Sequence, residues 1–158
     1  MKTLKVLGGA LLVVLMSVSL AACGGDSDND DGGGAPGNIE GTWYLKAVTW
    51  YGWKNNQPDM STINSQRTFD DYSDAETWTL KKSGENLILT KKESGDEPST
   101  YTLEKVGENE YRRMGGSSSG NDKIVFKSVT AKRMEVEYYD NFYRQTQNKE
   151  YAYLIYMR

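Results

Sequence analysis

Side chains able to do chemistry are few in this chain of 158 residues, which holds one cysteine, Cys23, and no histidine. Without histidine, Ser-His-Asp and Cys-His catalysis and histidine-ligated zinc are excluded. One cysteine also excludes an intrachain disulfide. Asp70, Asp71, Asp74 and Glu76 crowd into seven residues, and hard oxygen ligands at that density suit calcium. Their spacing is not that of an EF-hand loop, however, and no glycine stands at the turn; the segment reads as a solvated loop. Ser117, Ser118 and Ser119 sit in the low-complexity stretch 115–120 with no histidine or nearby lysine to activate a nucleophile, so this stretch reads as a linker between strands. The expectation is a protein that is not an enzyme, with no catalytic residues, metal or cofactor.

Charge points to no nucleic-acid partner: 19 basic and 22 acidic side chains leave a net of −3, without a basic stripe. Its distribution is more informative. Residues 1–22 carry Lys2 and Lys5 before an uncharged run from Val6 to Ala22, the pattern of a secretory signal peptide. The run is at the short limit for a bilayer span and ends in small residues. Removing that segment leaves 17 basic and 22 acidic groups, net −5. Asp26, Asp28, Asp30 and Asp31 then follow among glycines, and without these four acids the net falls to −1. The stretch 23–38 has no large apolar side chain and cannot bury enough surface to fold; it is a tether.

Leu20-Ala21-Ala22-Cys23 resembles the lipobox of bacterial lipoproteins, in which the cysteine is acylated and becomes the new amino terminus. The resemblance implies Cys23 as the lipid attachment site and two or three acyl chains, which at ~0.8 kcal/mol per buried methylene anchor firmly. An acidic cluster just behind the lipidated cysteine resembles the surface-export signal of lipoproteins from Bacteroidetes-type bacteria. That implies an outer-membrane protein exposed at the cell surface.

All 18 aromatic side chains lie within residues 39–158. Segments alternating apolar with polar residues recur at 39–51, 76–83, 87–93, 99–106, 110–114, 122–130, 132–139 and 149–158, which predicts eight strands and an all-β class. Residues 77–86 and 100–109 repeat one another at a spacing of 23, each running into Gly-Glu-Asn, a tight-turn sequence. Connections near 84–86, 107–109 and 131 are short, whereas 54–75, 94–98, 115–121 and 140–148 are longer. Successive turns of an up-and-down antiparallel sheet lie at opposite ends, so one end is pinched and the other carries the long loops. That is the shape of a cup, and eight such strands suit a closed barrel, which removes exposed edges. Lys81-Lys82 and Lys91-Lys92 put charge on both faces, which excludes a transmembrane barrel.

Gly41-Thr42-Trp43 resembles the Gly-x-Trp signature of lipocalins and the wider calycin group, and the chain as a whole is similar to short lipocalin-like lipoproteins of Bacteroidetes-type bacteria. The Thr-Asp-Tyr motif of lipocalins has no clear counterpart. The resemblance implies that Gly41 and Trp43 close the narrow end and that Arg158, the last residue, lies over the Trp43 ring through a cation-π contact. It also implies a barrel that holds a small apolar or amphipathic ligand, and the protein is expected to be a monomer. The first strand climbs from that end to a rim carrying Trp50, Tyr51 and Trp53, and residues 54–75, with a short helix near Met60 to Phe69, are expected to form a lid in which Phe69 joins the mouth. The alternative is a solid barrel whose long loops bind an envelope protein or a glycan. Interior volume separates the two, since Trp78, Phe126 and Met134 all pointing inward leave no cavity. Tyr101, Tyr111, Tyr151 and Tyr153 fall at inward or alternating strand positions, where tyrosine packs a core or lines a binding cavity; core packing is the default expectation.

Overall fold

A computed structural model describes residues 38–115, 121–145 and 148–158. Cys23, the signal segment, the tether acids and Ser117 to Ser119 lie outside the described residues. Nine antiparallel strands and no helix are present among the rest. They are β1 (Gly41–Lys54), β2 (Gln57–Thr68), β3 (Thr77–Ser83), β4 (Asn86–Lys92), β5 (Ser99–Lys105), β6 (Glu110–Met114), β7 (Lys123–Val129), β8 (Arg133–Asp140) and β9 (Glu150–Met157). From β3 to β9 each strand pairs with the next, and β1 pairs with both β3 and β9. Eight strands thus close into an up-and-down, lipocalin-like barrel, and β2 is additional. The ring lies in one compact unit, Gly33–Arg158.

Closure follows from the length of β1. Its first residues, Gly41 to Tyr44, pair with β3, its middle from Tyr44 to Tyr51 pairs with β9 on the opposite edge, and its last half from Ala47 to Lys54 pairs with β2. Alternation along each strand then assigns the faces. Trp43, Trp78, Leu80, Leu89, Leu103, Phe126, Met134 and Tyr156 are buried in one cluster inside the ring.

Residues 57–68 correct the sequence expectation of a loop with a short helix, because they form a strand. Asn55 and Asn56 both take positive φ, 52° and 59°, the double left-handed conformation of a type I′ turn, which asparagine tolerates. That turn folds the chain straight back onto β1. The expected alternation is missing because β2 is exposed along most of its length; its backbone ladder to β1 holds it rather than a buried side. The Gly-Glu-Asn repeats also diverge. Ser83 pairs with Asn86 across a two-residue turn with Gly84 at φ 65°, whereas Val106 and Gly107 both donate to the Glu110 carbonyl around a wider turn.

Candidate functional site

At the narrow end, Trp43 is fully buried and its indole N–H donates to the Ile39 carbonyl at 2.9 Å. The Arg158 guanidinium carbon lies 4.1 Å from the Trp43 ring centroid. Its three nitrogens donate to the carbonyls of Ala131 (2.7 Å), Glu40 (2.9 Å) and Asn38 (3.0 Å). One side chain therefore ties the start of β1, the β7–β8 turn and the chain end across the floor. Gly41 has φ 128°, and a Cβ there would stand 3.1 Å from Arg158 Nη1. The positive φ favours glycine here, and a side chain would also press on the end of Arg158.

The residues expected at the mouth divide between the two faces of the wall. Trp50 opposes buried Ala152 and points inward, its ring edge-on to Tyr138 at 6.2 Å. Tyr51 opposes Tyr151 with ring centroids 5.6 Å apart, and Trp53 meets Tyr139 at 6.5 Å. Tyr139 and Tyr151 stand 4.9 Å apart on the outer face, so Tyr151 is buried under its aromatic neighbours rather than inside the ring. Tyr153 is also outward, bonded to the Glu135 carboxylate. Tyr101 and Tyr111 do pack against the core. Phe69 is a member of the buried core, under the Arg67 guanidinium at 4.4 Å, with its N–H donating to the Lys46 carbonyl.

Inside the ring, the narrow half is apolar and the open half is polar. Trp43 faces Trp78 across β1 and β3, Trp78 meets Tyr156 at 4.8 Å, and Phe126 and Met134 complete the packing. Above this layer the Glu76 carboxylate accepts from the Trp78 indole, from the Tyr156 hydroxyl at 2.8 Å and from Lys91 Nζ at 2.8 Å. Burial pushes the Tyr156 phenol well above its ordinary range, and the Glu76 charge adds to that. Burial pulls the Lys91 ammonium down, but Glu76 and Glu93 overcome this and leave it raised.

Across the ring, Asp122 is completely buried and accepts from Arg113, from the Tyr138 hydroxyl at 2.7 Å and from the Asn141 N–H at 3.0 Å. Asp140 is raised to about 6, by burial first, then by Asp122 and Glu150, against the opposing charge of Arg113. This cluster goes beyond the residues expected at a site, although strand parity carries it. Asp122 shares its face with Ile124 and Phe126, Arg113 with Tyr111, Lys91 with Leu87 and Leu89, and Glu76 with Trp78. A charge at inward parity needs a partner inside the barrel. These pairs stand in the open half, where Trp50 and Tyr101 pack against the core. At the rim, Lys91, Glu93, Asp96, Glu97, Ser99 and Tyr101 border a cleft of about 90 Å³, room for a few waters but below the ~300 Å³ at which small-molecule pockets begin.

No cluster of three or more metal-ligating side chains occurs among the described residues, and no described helix is long and apolar enough to cross a membrane. The Asp70 to Glu76 cluster is spread by its turn: Asp70 meets Lys46, Asp71 caps the Ser73 N–H, and Glu76 turns into the barrel. The fold defines a class, a closed lipocalin-like antiparallel barrel with one strand added outside the ring. No family model matches the chain, and no curated protein matches it.

Proposed function

We propose that this is a lipid-anchored envelope protein, attached through Cys23 to the outer membrane and displayed at the cell surface, whose barrel is a solid scaffold that binds an envelope protein through its open rim. The observation that carries this reading is the inward packing of large side chains. Trp78, Phe126 and Met134 all point inward and are 3%, 4% and 0% exposed, and the Glu76–Lys91 and Arg113–Asp122 pairs stand above them. Displacing those pairs by an apolar ligand would strand buried charge, which costs several kcal/mol per group.

The reading that the family resemblance implied, a small apolar or amphipathic ligand held within the barrel, is separated by experiment. Residues 33–158 are purified and examined by native mass spectrometry and by titration with the apolar fluorophore anilinonaphthalene sulfonate. The solid scaffold gives the bare mass and no saturable fluorescence gain. A copurified ligand, or saturable uptake lost on Trp50→Ala, overturns it in favour of the ligand-binding barrel.

A further inference from the structure

Among the described residues, one strand keeps an edge without a partner strand. There β2 pairs with β1 alone, and β2 and β3 lie end to end along the same edge of β1. The free edge of β2 therefore faces the side on which β4 and the connection after it lie. Phe69 donates its N–H to the Lys46 carbonyl directly opposite, and alternation along the ladder then turns the peptide groups of Gln66 and Thr68 away from β1. Edge strands are normally kept single by charge, proline or a bulge. Here the ladder is irregular between Asp59 and Ile63, where the Asp59 carboxylate holds Ser61 and Thr62, but from Ser65 to Thr68 it is regular, and Arg67 is its single charge.

The surface beside that edge is acidic. The connections 69–76 and 93–98 are joined by a hydrogen bond from Ser94 to Asp74 at 3.4 Å. They carry Asp70, Asp71, Asp74, Glu93, Asp96 and Glu97 on their exposed parts. The nearby lysines fall short of balancing them: Lys46 meets Asp70 at 3.6 Å, Lys91 is shared between Glu93 and the interior Glu76, and Lys92 ends β4. An unpaired backbone edge selects an extended chain, and the carboxylates select its charge. We propose that the β2 edge receives an extended segment of a partner protein rich in lysine or arginine, added as a further antiparallel strand with its cations over the two acidic connections. This rests on the solid-scaffold reading above and names the class of its partner.

The test uses residues 33–158 and a synthetic peptide of about ten residues alternating lysine with threonine, compared with its glutamate counterpart. Hydrogen exchange is expected to show protection of the Gln66 and Thr68 amides by the lysine peptide alone. Gln66→Pro removes an outward donor without touching the β1 ladder, and should weaken binding at least about tenfold with the thermal midpoint unchanged. Asp96→Lys with Glu97→Lys should do the same and flatten the salt dependence. Binding unaffected by Gln66→Pro, protection elsewhere on the barrel, equal binding of the glutamate peptide, or no binding up to about 1 mM overturns the proposal. Protection of these amides without peptide, together with a dimer in sedimentation, also overturns it and makes a second copy the occupant. Uptake of the apolar fluorophore, by contrast, refutes the solid scaffold itself.

Discussion

Replacing Trp43 by alanine tests whether the floor of the barrel is held as its geometry indicates. The side chain is fully buried, faces Trp78, donates to Ile39 and carries Arg158 on its ring. Emptying a buried aromatic site costs about 3 to 5 kcal/mol, the indole hydrogen bond adds about 1, and the exposed guanidinium contact about 0.5 to 1. A loss of about 4.5 to 7 kcal/mol is comparable with the whole stability of a domain this size, which runs from about 5 to 15. Urea unfolding of residues 33–158, followed by tryptophan fluorescence and far-ultraviolet circular dichroism, measures it. Trp43→Phe should lose only about 1 to 2 kcal/mol, since it keeps most of the apolar area. Pairing each Trp43 variant with Arg158→Met in a double-mutant cycle should give a coupling of about 0.5 to 1 kcal/mol. A loss below about 1 kcal/mol for Trp43→Ala refutes the assignment of the floor to this residue.

The remaining predictions concern the open half and the anchor. Asp122→Ala leaves Arg113 without its carboxylate in a largely buried setting and should cost about 3 to 5 kcal/mol in urea unfolding; Asp122→Asn, able to keep the Tyr138 and Asn141 bonds, should cost less. Asp140 is raised to about 6 in the folded state from 3.8, so the native protein binds more protons here than the unfolded chain between those values, and this group's contribution falls as pH rises from about 4 to above 6. Comparing wild type with Asp140→Asn, the variant should gain about 1 to 2 kcal/mol relative to wild type on going from pH 4.5 to 7.5, the figure being reduced for solvent screening; a difference flat with pH refutes it. Cys23→Ala should release the protein from membranes, read by fractionation. Replacing Asp26, Asp28, Asp30 and Asp31 by alanine should abolish access of added protease to the domain on intact cells.

Eight of the nine strands, their order and the pinched and open ends were legible in the sequence because a closed antiparallel barrel buries one face of each strand. That burial writes a period of two into the chain, from Trp78-Leu80 to Leu154-Tyr156, and the connection lengths record which end each turn lies at. Gly41, Trp43 and Arg158 were legible as a motif, whose members the fold brings to one place. β2 was not, since a strand held only by a backbone ladder to β1 needs no apolar face and leaves no alternation; its trace was Asn55-Asn56, two residues that tolerate positive φ.

Tertiary structure alone decided which side of the wall each aromatic of β1 takes, because the irregularity between Leu45 and Ala47 shifts the register against β9 and a one-residue slip exchanges the faces. It placed Trp50 inside and Tyr51 outside, moved Phe69 into the core, and set Tyr151 beneath an outer aromatic layer. It also decided that Trp78, Phe126 and Met134 all face inward. Parity assigns Glu76, Lys91, Arg113 and Asp122 to the inward face, but only the register between neighbouring strands, β3 with β4 and β6 with β7, sets each acid beside its base.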